Sequence, residues 1–403
     1  MNTIPDFELA KWAEHDHNGK ATLLAAGSRG PGMTLKELIA ISSDPDATAA
    51  ALQFDNIKLI PQVASAGKVT NRLATFYPSA EPPIQHSDIL LAHGCTGANS
   101  MVIQALVNTG DHVISTFPTY TPLFELARGL GAELSFLGLK QENEWAVDLE
   151  KLESLITPST KMLILNNPNN PTGSVTSTSQ QRKIVEIAAK HNLILLCDEI
   201  FRPLYHTDDK PTSYLEHSSS SYNRIVVTGS LSKCWGFAGV RVGWAATTNP
   251  ELRKAMHRVR EWILQDVSEM DKVVAAEILS LRCHPKILEK NLGIIRENRE
   301  TLRKFLDDNK GKTSCHLPTG GSTAFIRFLG GDGQPVDDLE FGKGLLEETG
   351  VLISPGQLGF GRQGDQGALK GYVRMHMCIP PEKYRGAIAG FEKFLGSERF
   401  AKL

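Results

Sequence analysis

Two short stretches, Lys161-Met162-Leu163-Ile164-Leu165-Asn166 and Leu193-Ile194-Leu195-Leu196-Cys197-Asp198-Glu199, decide the fold. Each is an apolar run ending in polar residues, the pattern of a strand buried on both faces. Between them Ser179–His191 has helical periodicity, with Ser and Thr as capping candidates before it and Asn192 after it. Strand, helix and strand in this order predict two parallel strands joined by a crossover helix. The same alternation extends outward. Asp88–Ala92, His112–Ser115, Glu133–Leu137 and Ile225–Thr228 read as strands, and Ala98–Asn108 and Thr121–Gly129 as helices. The expectation is an α/β fold, a mostly parallel sheet with helices on both faces.

The character changes after Thr248. Asn249-Pro250 starts a helical pattern that runs to about Leu281, and His284-Pro285 precedes a second over Lys286–Asn309. Ser322–Phe328 and Tyr372–Met377 read as strands of a smaller α+β region, and the six glycines of Ser354–Tyr372 read as a mobile loop. The expected division is a large α/β domain over residues 45–280 and a small α+β domain built from 1–44 and 281–403.

Composition narrows the function classes. The 403 residues carry a net charge of −2, with 41% apolar and 22% charged residues. That is ordinary globular usage, and the charge balance argues against nucleic acid or an anionic membrane as the main partner. No apolar stretch approaches the ~18 residues that span a bilayer. Met1 to Lys20 is polar and resembles neither a secretory nor a transit peptide. The six cysteines show no C-x-x-C spacing and the twelve histidines no metal-ligand spacing, so neither a disulfide framework nor a metal site is expected. A cytoplasmic protein is the reading.

Four segments carry candidate chemistry, each placed near the end of a strand, where parallel α/β sheets bind ligands. Gly97-Ala98-Asn99 lies between a strand and a helix, and free amides at a helix N-terminus suit a phosphate. Asn166-Asn167-Pro168-Asn169-Asn170-Pro171-Thr172-Gly173 is a turn-rich block. Asp198-Glu199-Ile200-Phe201 puts a carboxylate where burial demands a cationic partner. Ser230-Leu231-Ser232-Lys233, continuing through Gly236, Gly239 and Arg241 to Gly243-Trp244, offers a lysine among small residues, a candidate Schiff-base amine.

In this order and spacing, the four resemble the class I/II aminotransferase family, fold type I enzymes dependent on pyridoxal 5′-phosphate. The resemblance covers at least residues 88–377 and weakens over the first 80. It implies that Lys233 forms the Schiff base and shuttles a proton, that Asp198 pairs with the pyridinium nitrogen, and that Asn170 bonds the cofactor 3′ oxygen. It implies that Tyr120, in Phe117-Pro118-Thr119-Tyr120, stacks on the ring, and that Gly97, Ala98, Asn99, Ser230, Ser232 and Arg241 surround the phosphate. Arg374, in Tyr372-Val373-Arg374-Met375, matches the arginine that grips the substrate α-carboxylate, a bidentate task for a guanidinium. Arg29 is the one charge in Ala25–Gly32, the segment corresponding to the family's substrate gate. A homodimer is implied.

Two departures stand out. Phe201 occupies the place of a family tyrosine that donates to the 3′ oxygen. The tyrosine that reaches the partner subunit's phosphate has no clear counterpart, with Phe54 and Tyr77 as the nearest aromatics. The implied function is transformation of an α-amino acid through an external aldimine, foremost amino-group transfer to a 2-oxo acid. Elimination, replacement or ring closure is the alternative, because Phe7-Glu8-Leu9-Ala10-Lys11-Trp12 and the block Asp198 to Leu204 are similar to the capreomycidine synthase branch, and 1-aminocyclopropane-1-carboxylate synthase shares the core. A regulator that binds the cofactor without catalysis is the third class, and no DNA-binding module supports it.

Overall fold

Seven strands build the central sheet: β1 (Ile89–His93), β2 (His112–Phe117), β3 (Glu133–Gly138), β4 (Thr160–Asn166), β5 (Ile194–Asp198), β6 (Ile225–Ser230) and β7 (Val242–Ala246). These and all other details come from a computed structural model that describes residues 4–14, 19–361 and 367–403. The strand order is β1-β7-β6-β5-β4-β2-β3. Only β7 runs antiparallel, against β1 on one side and β6 on the other. The remaining neighbours pair in parallel.

The continuous apolar runs follow from burial on both faces. Met162, Ile164, Ile194, Leu196 and Val226 join one hydrophobic cluster, which the helices Gly94–Leu106 and Pro250–Ile263 cover. Their alternates Leu163, Leu165, Leu195, Cys197 and Val227 join the other. Both classes must be apolar, so no in-out alternation shows in the sequence.

A second sheet of four short strands lies C-terminal to the first. Its order is Ser354–Pro355, Tyr372–His376, Thr323–Phe328, Thr313–Ser314, all antiparallel. Leu23–Leu24 pairs in parallel with Val351–Leu352, so the beginning of the chain is stitched to this smaller region. The aromatic side chains of Phe328, Phe341, Phe391 and Phe394 form its core.

Three expectations differ from the structure. The helix expected from Ala98 begins at Gly94, because Gly94 sits at φ +69° and lets the chain turn directly out of β1. The helical run from Pro250 to Leu281 is two helices, Pro250–Ile263 and Glu269–Ile278. Gln265 at φ +52° ends the first, and Asp266 between them is held by Arg260 and Lys272. Ser354–Tyr372 is not a loop throughout: Ser354–Pro355 pairs with the strand of Arg374, and Gly356–Phe360 is a helical turn. The rest of that expectation falls partly on residues 362–366, outside the described residues, as do residues 1–3 and 15–18 of the N-terminal segment. Among the described residues, no helix is long and apolar enough to cross a membrane.

Candidate active site

A cavity of about 460 Å³ opens at the edge where the parallel strands end. β7 runs the other way, so its first residues reach the same edge, and this brings Arg241 beside the turn after β1. The Gly94 amide donates to the Arg241 carbonyl at 2.9 Å. A Cβ on Gly94 would stand 2.5 Å from Arg241 Nη2, so the guanidinium lies hard against this backbone. Cys95 and Thr96 follow in the first helical turn, where amides have no intrahelical partner. Both line the cavity, as do Ser232 and Arg241.

Lys233 Nζ is half-buried and donates to Ser28 Oγ at 2.7 Å. Burial, then the Arg374 and Arg29 cations, push its pKa down to about 8, against the pull of Asp198. Such an amine is partly neutral near neutral pH and available as a nucleophile. Asp198, at the end of β5, is 2% exposed and makes no ion pair among the described residues. Its Oδ2 accepts from Asn99 Nδ2 at 2.9 Å, and its Oδ1 accepts from the Ile200 amide at 3.0 Å and from the Cys95 thiol at 3.4 Å. Burial raises its pKa, and these donors oppose the rise.

The Asn-Pro block is clamped to β5 by Asn166. Its Nδ2 donates to the Asp198 carbonyl at 2.9 Å and its Oδ1 accepts the Asn170 amide at 2.7 Å. Asn170 Oδ1 in turn accepts from Arg374 Nη1 at 3.0 Å. Arg374 is buried, reaching also the Ala26 carbonyl and Ser354 Oγ, and its Nε has no partner. Burial pushes its pKa down to about 10, and no carboxylate faces it among the described residues. A buried guanidinium without an anion is costly, which fits a site built for a carboxylate ligand.

The roof is apolar. Phe7 meets Tyr120 edge to face at 5.9 Å, and Leu9 and Ala10 continue the lining. Trp12 Nε1, on the helix Glu8–Glu14, donates to the Ile353 carbonyl at 2.7 Å and anchors that helix. Phe201 lines the wall with its ring 6.0 Å from Lys233 Nζ. Tyr205 is turned away, its hydroxyl donating to the Pro211 carbonyl at 3.0 Å.

The structure thus gathers Lys233, Asp198, Tyr120, Asn99, Asn170, Ser232, Arg241, Arg374 and Arg29 around one cavity. It does not bring Gly97, Ala98 or Ser230 to the wall. Ala98 is packed in the core, and Ser230 Oγ braces the Ser232 amide from behind at 3.2 Å. The early helix start moves the free amides to Cys95 and Thr96, and it directs Asn99 to Asp198 rather than to a phosphate. Arg29 stands exposed at the mouth on a segment fixed by Gly30 N to Lys233 O and Ser322 Oγ to Ser28 O. Tyr77 is held in its own core, its hydroxyl accepting from Trp244 Nε1 at 3.0 Å. Sequence reasoning missed Cys95 and Thr96, whose signal was the glycine directly after β1. It also missed Ser28, which carried none.

These groups fit pyridoxal phosphate. There is an amine for its aldehyde, a buried unpaired carboxylate for its ring nitrogen, and a guanidinium beside free helix amides for its phosphate. The chain belongs to the aminotransferase class I and II family, whose model matches residues 31–391. It is a pyridoxal-phosphate-dependent enzyme of fold type I. It is 31% identical to an LL-diaminopimelate aminotransferase of Nitratidesulfovibrio vulgaris over 71% of this chain and 70% of that one. It is 30% identical to a capreomycidine synthase of Streptomyces vinaceus over 77% and 75%. Among solved structures, a PLP-dependent aminotransferase from Streptococcus suis matches with a TM-score of 0.86 and 31% identity, covering 99% of both chains.

Proposed function

We propose that the enzyme transfers the amino group of an α-amino acid to a 2-oxo acid, with the cofactor on the 45–280 domain and the α-carboxylate gripped from the domain of 1–44 and 281–403. The observation that carries this is the buried Arg374 guanidinium, which meets no carboxylate among the described residues and lines one cavity with Lys233 and Asp198. When bound, pyridoxal phosphate supplies the sink for electrons released as a bond to the substrate Cα breaks. Arg374 holds the α-carboxylate. Lys233, with its lowered pKa, anchors the aldehyde and carries the proton at the substrate Cα. Asp198 would keep a proton on the ring nitrogen. Asn170 Nδ2 would donate to the 3′ oxygen, and Tyr120 would lie against the ring. Arg241, Ser232 and the amides of Cys95 and Thr96 would hold the phosphate.

The chamber chemistry supports a substrate class. Phe7, Leu9 and Ala10 offer an apolar wall, Arg29 offers a cation at the mouth, and Asp198 is the only carboxylate among the described lining residues. An apolar amino donor and a 2-oxo acid with a second carboxylate on Arg29 fit it, and a side chain ending in a cation does not. A ring-closing or eliminating enzyme is the second reading, supported by the identity with capreomycidine synthase. Products from a mixture of the standard amino acids, with and without 2-oxoglutarate, separate the two, since only transamination needs the acceptor.

A homodimer working in the cytoplasm completes the proposal. Leu59, Ile60 and Met270 line one groove, and Val63, Trp262 and Leu281 are more than four-fifths exposed, apolar surface that a second copy would cover. Sedimentation showing an active monomer near 44 kDa would refute it.

A further inference from the structure

Asp198 and Thr228 are register partners on β5 and β6, so their side chains stand side by side on one face of the sheet. That face is the one covered by the helix Gly94–Leu106, and Asn99 descends from it between the two. Thr228 Oγ1 donates to Asn99 Oδ1 at 2.6 Å, and Asn99 Nδ2 donates to Asp198 Oδ2 at 2.9 Å. All three residues are buried. The direction of the chain is set by its ends. The carboxylate has no proton to give, and the hydroxyl has one, so a flipped amide would set oxygen against the carboxylate. The other carboxylate oxygen is occupied by the Ile200 amide and the Cys95 thiol. Asn99 is therefore the one side-chain donor on Oδ2 among the described residues.

We propose that Asn99, oriented by Thr228, is a positioning residue that fixes Asp198 as the partner of the cofactor's ring nitrogen. Its Nδ2 also lies 3.7 Å from the Cys95 sulfur, itself a donor to the same carboxylate, so its contacts converge on Asp198. Without it, Oδ2 loses its donor, the carboxylate is held through Oδ1 alone, and burial favours its neutral form, which holds no proton on the ring nitrogen. The proposal rests on the reading that pyridoxal phosphate binds with its ring nitrogen at Asp198.

The test compares two ligands: pyridoxal phosphate and its analogue in which the ring nitrogen is replaced by C–H. Affinities of the apoprotein for each are measured by spectroscopic titration for the wild type, Asn99→Ala and Thr228→Val. Thr228→Val keeps the β-branched shape in its strand, so it carries the test if Asn99→Ala fails to fold. Both variants should bind pyridoxal phosphate roughly 10- to 100-fold more weakly, the worth of one hydrogen bond to a charged group. Both should bind the analogue within about threefold of wild type, because the two deletions act on one interaction. An equal loss for both ligands would make Asn99 merely structural, and no loss for either would remove its role; each overturns the proposal. A wild type that takes up neither ligand would instead overturn the reading of the pocket.

Discussion

Arg374 Nη1 donates to Asn170 Oδ1 at 3.0 Å, joining a strand of the smaller sheet to the turn after β4. The bond settles which way the asparagine amide faces, leaving its Nδ2 donors for the cavity. The guanidinium proposed for the substrate carboxylate thus also orients a group proposed for the cofactor. Arg374→Lys loses the fork and the orienting bond together. The expected result is a fall in kcat/KM of roughly 30-fold or more, since truncating a buried charged pair costs at least about 2 kcal/mol. Steady-state kinetics check it, with the amino acid methyl ester as control, whose turnover should fall less.

Phe201 has no hydroxyl to offer the 3′ oxygen proposed to lie at Asn170, and Tyr205 does not supply one because its hydroxyl donates to the Pro211 carbonyl. Phe201→Tyr should therefore lower the pH at which the holoenzyme's yellow chromophore loses its proton. The shift expected is roughly one to two pKa units, the worth of one hydrogen bond to a charged acceptor. A pH titration of absorbance reads it directly.

The Lys233 amine should stand out in the apoprotein. Its pKa of about 8 means that competitive acylation, followed by mass spectrometry, should show its reactivity rising through an inflection near pH 8. Surface lysines keep rising to higher pH. The sign for stability follows. Because the folded state holds this proton less tightly than the unfolded chain, the apoprotein should gain stability from this group as pH rises above about 8 toward the ordinary lysine range.

Gly94 is held at φ +69° with Arg241 against it. Gly94→Ala should cost about 1–3 kcal/mol of stability and displace the guanidinium. Thermal unfolding measures the first. For the second, affinity for pyridoxal phosphate should fall while affinity for unphosphorylated pyridoxal stays within a few-fold.

The β-α-β core was legible in the sequence because both faces of β4, β5 and β6 are buried, which leaves unbroken apolar runs. β7 was not, since Val242-Gly243-Trp244-Ala245-Ala246 merged with the glycine-rich motif before it. Lys233, Asp198, Asn170 and Arg374 were singled out because motif spacing places them at strand ends or on a recognisable strand, and the structure gathers them around one cavity. Asn99 was assigned to the phosphate from a helix start placed one turn too late; in the structure its side chain bonds Asp198. Its link to Thr228 depends on strand register, which local pattern does not encode. The division of the Pro250–Leu281 run was hidden because helical periodicity persists on either side of Gln265.

The most direct measurement is a single half-reaction on the purified holoenzyme. An apolar α-amino acid is added without any 2-oxo acid, and products are quantified by mass spectrometry against the concentration of active sites. Amino-group transfer through Lys233 gives about one equivalent of the matching 2-oxo acid per site, no ammonia, and amino product only after 2-oxoglutarate is added. Lys233→Ala gives none. Continuous turnover without an acceptor, releasing ammonia or a ring-closed product, or turnover that survives in Lys233→Ala, would contradict it.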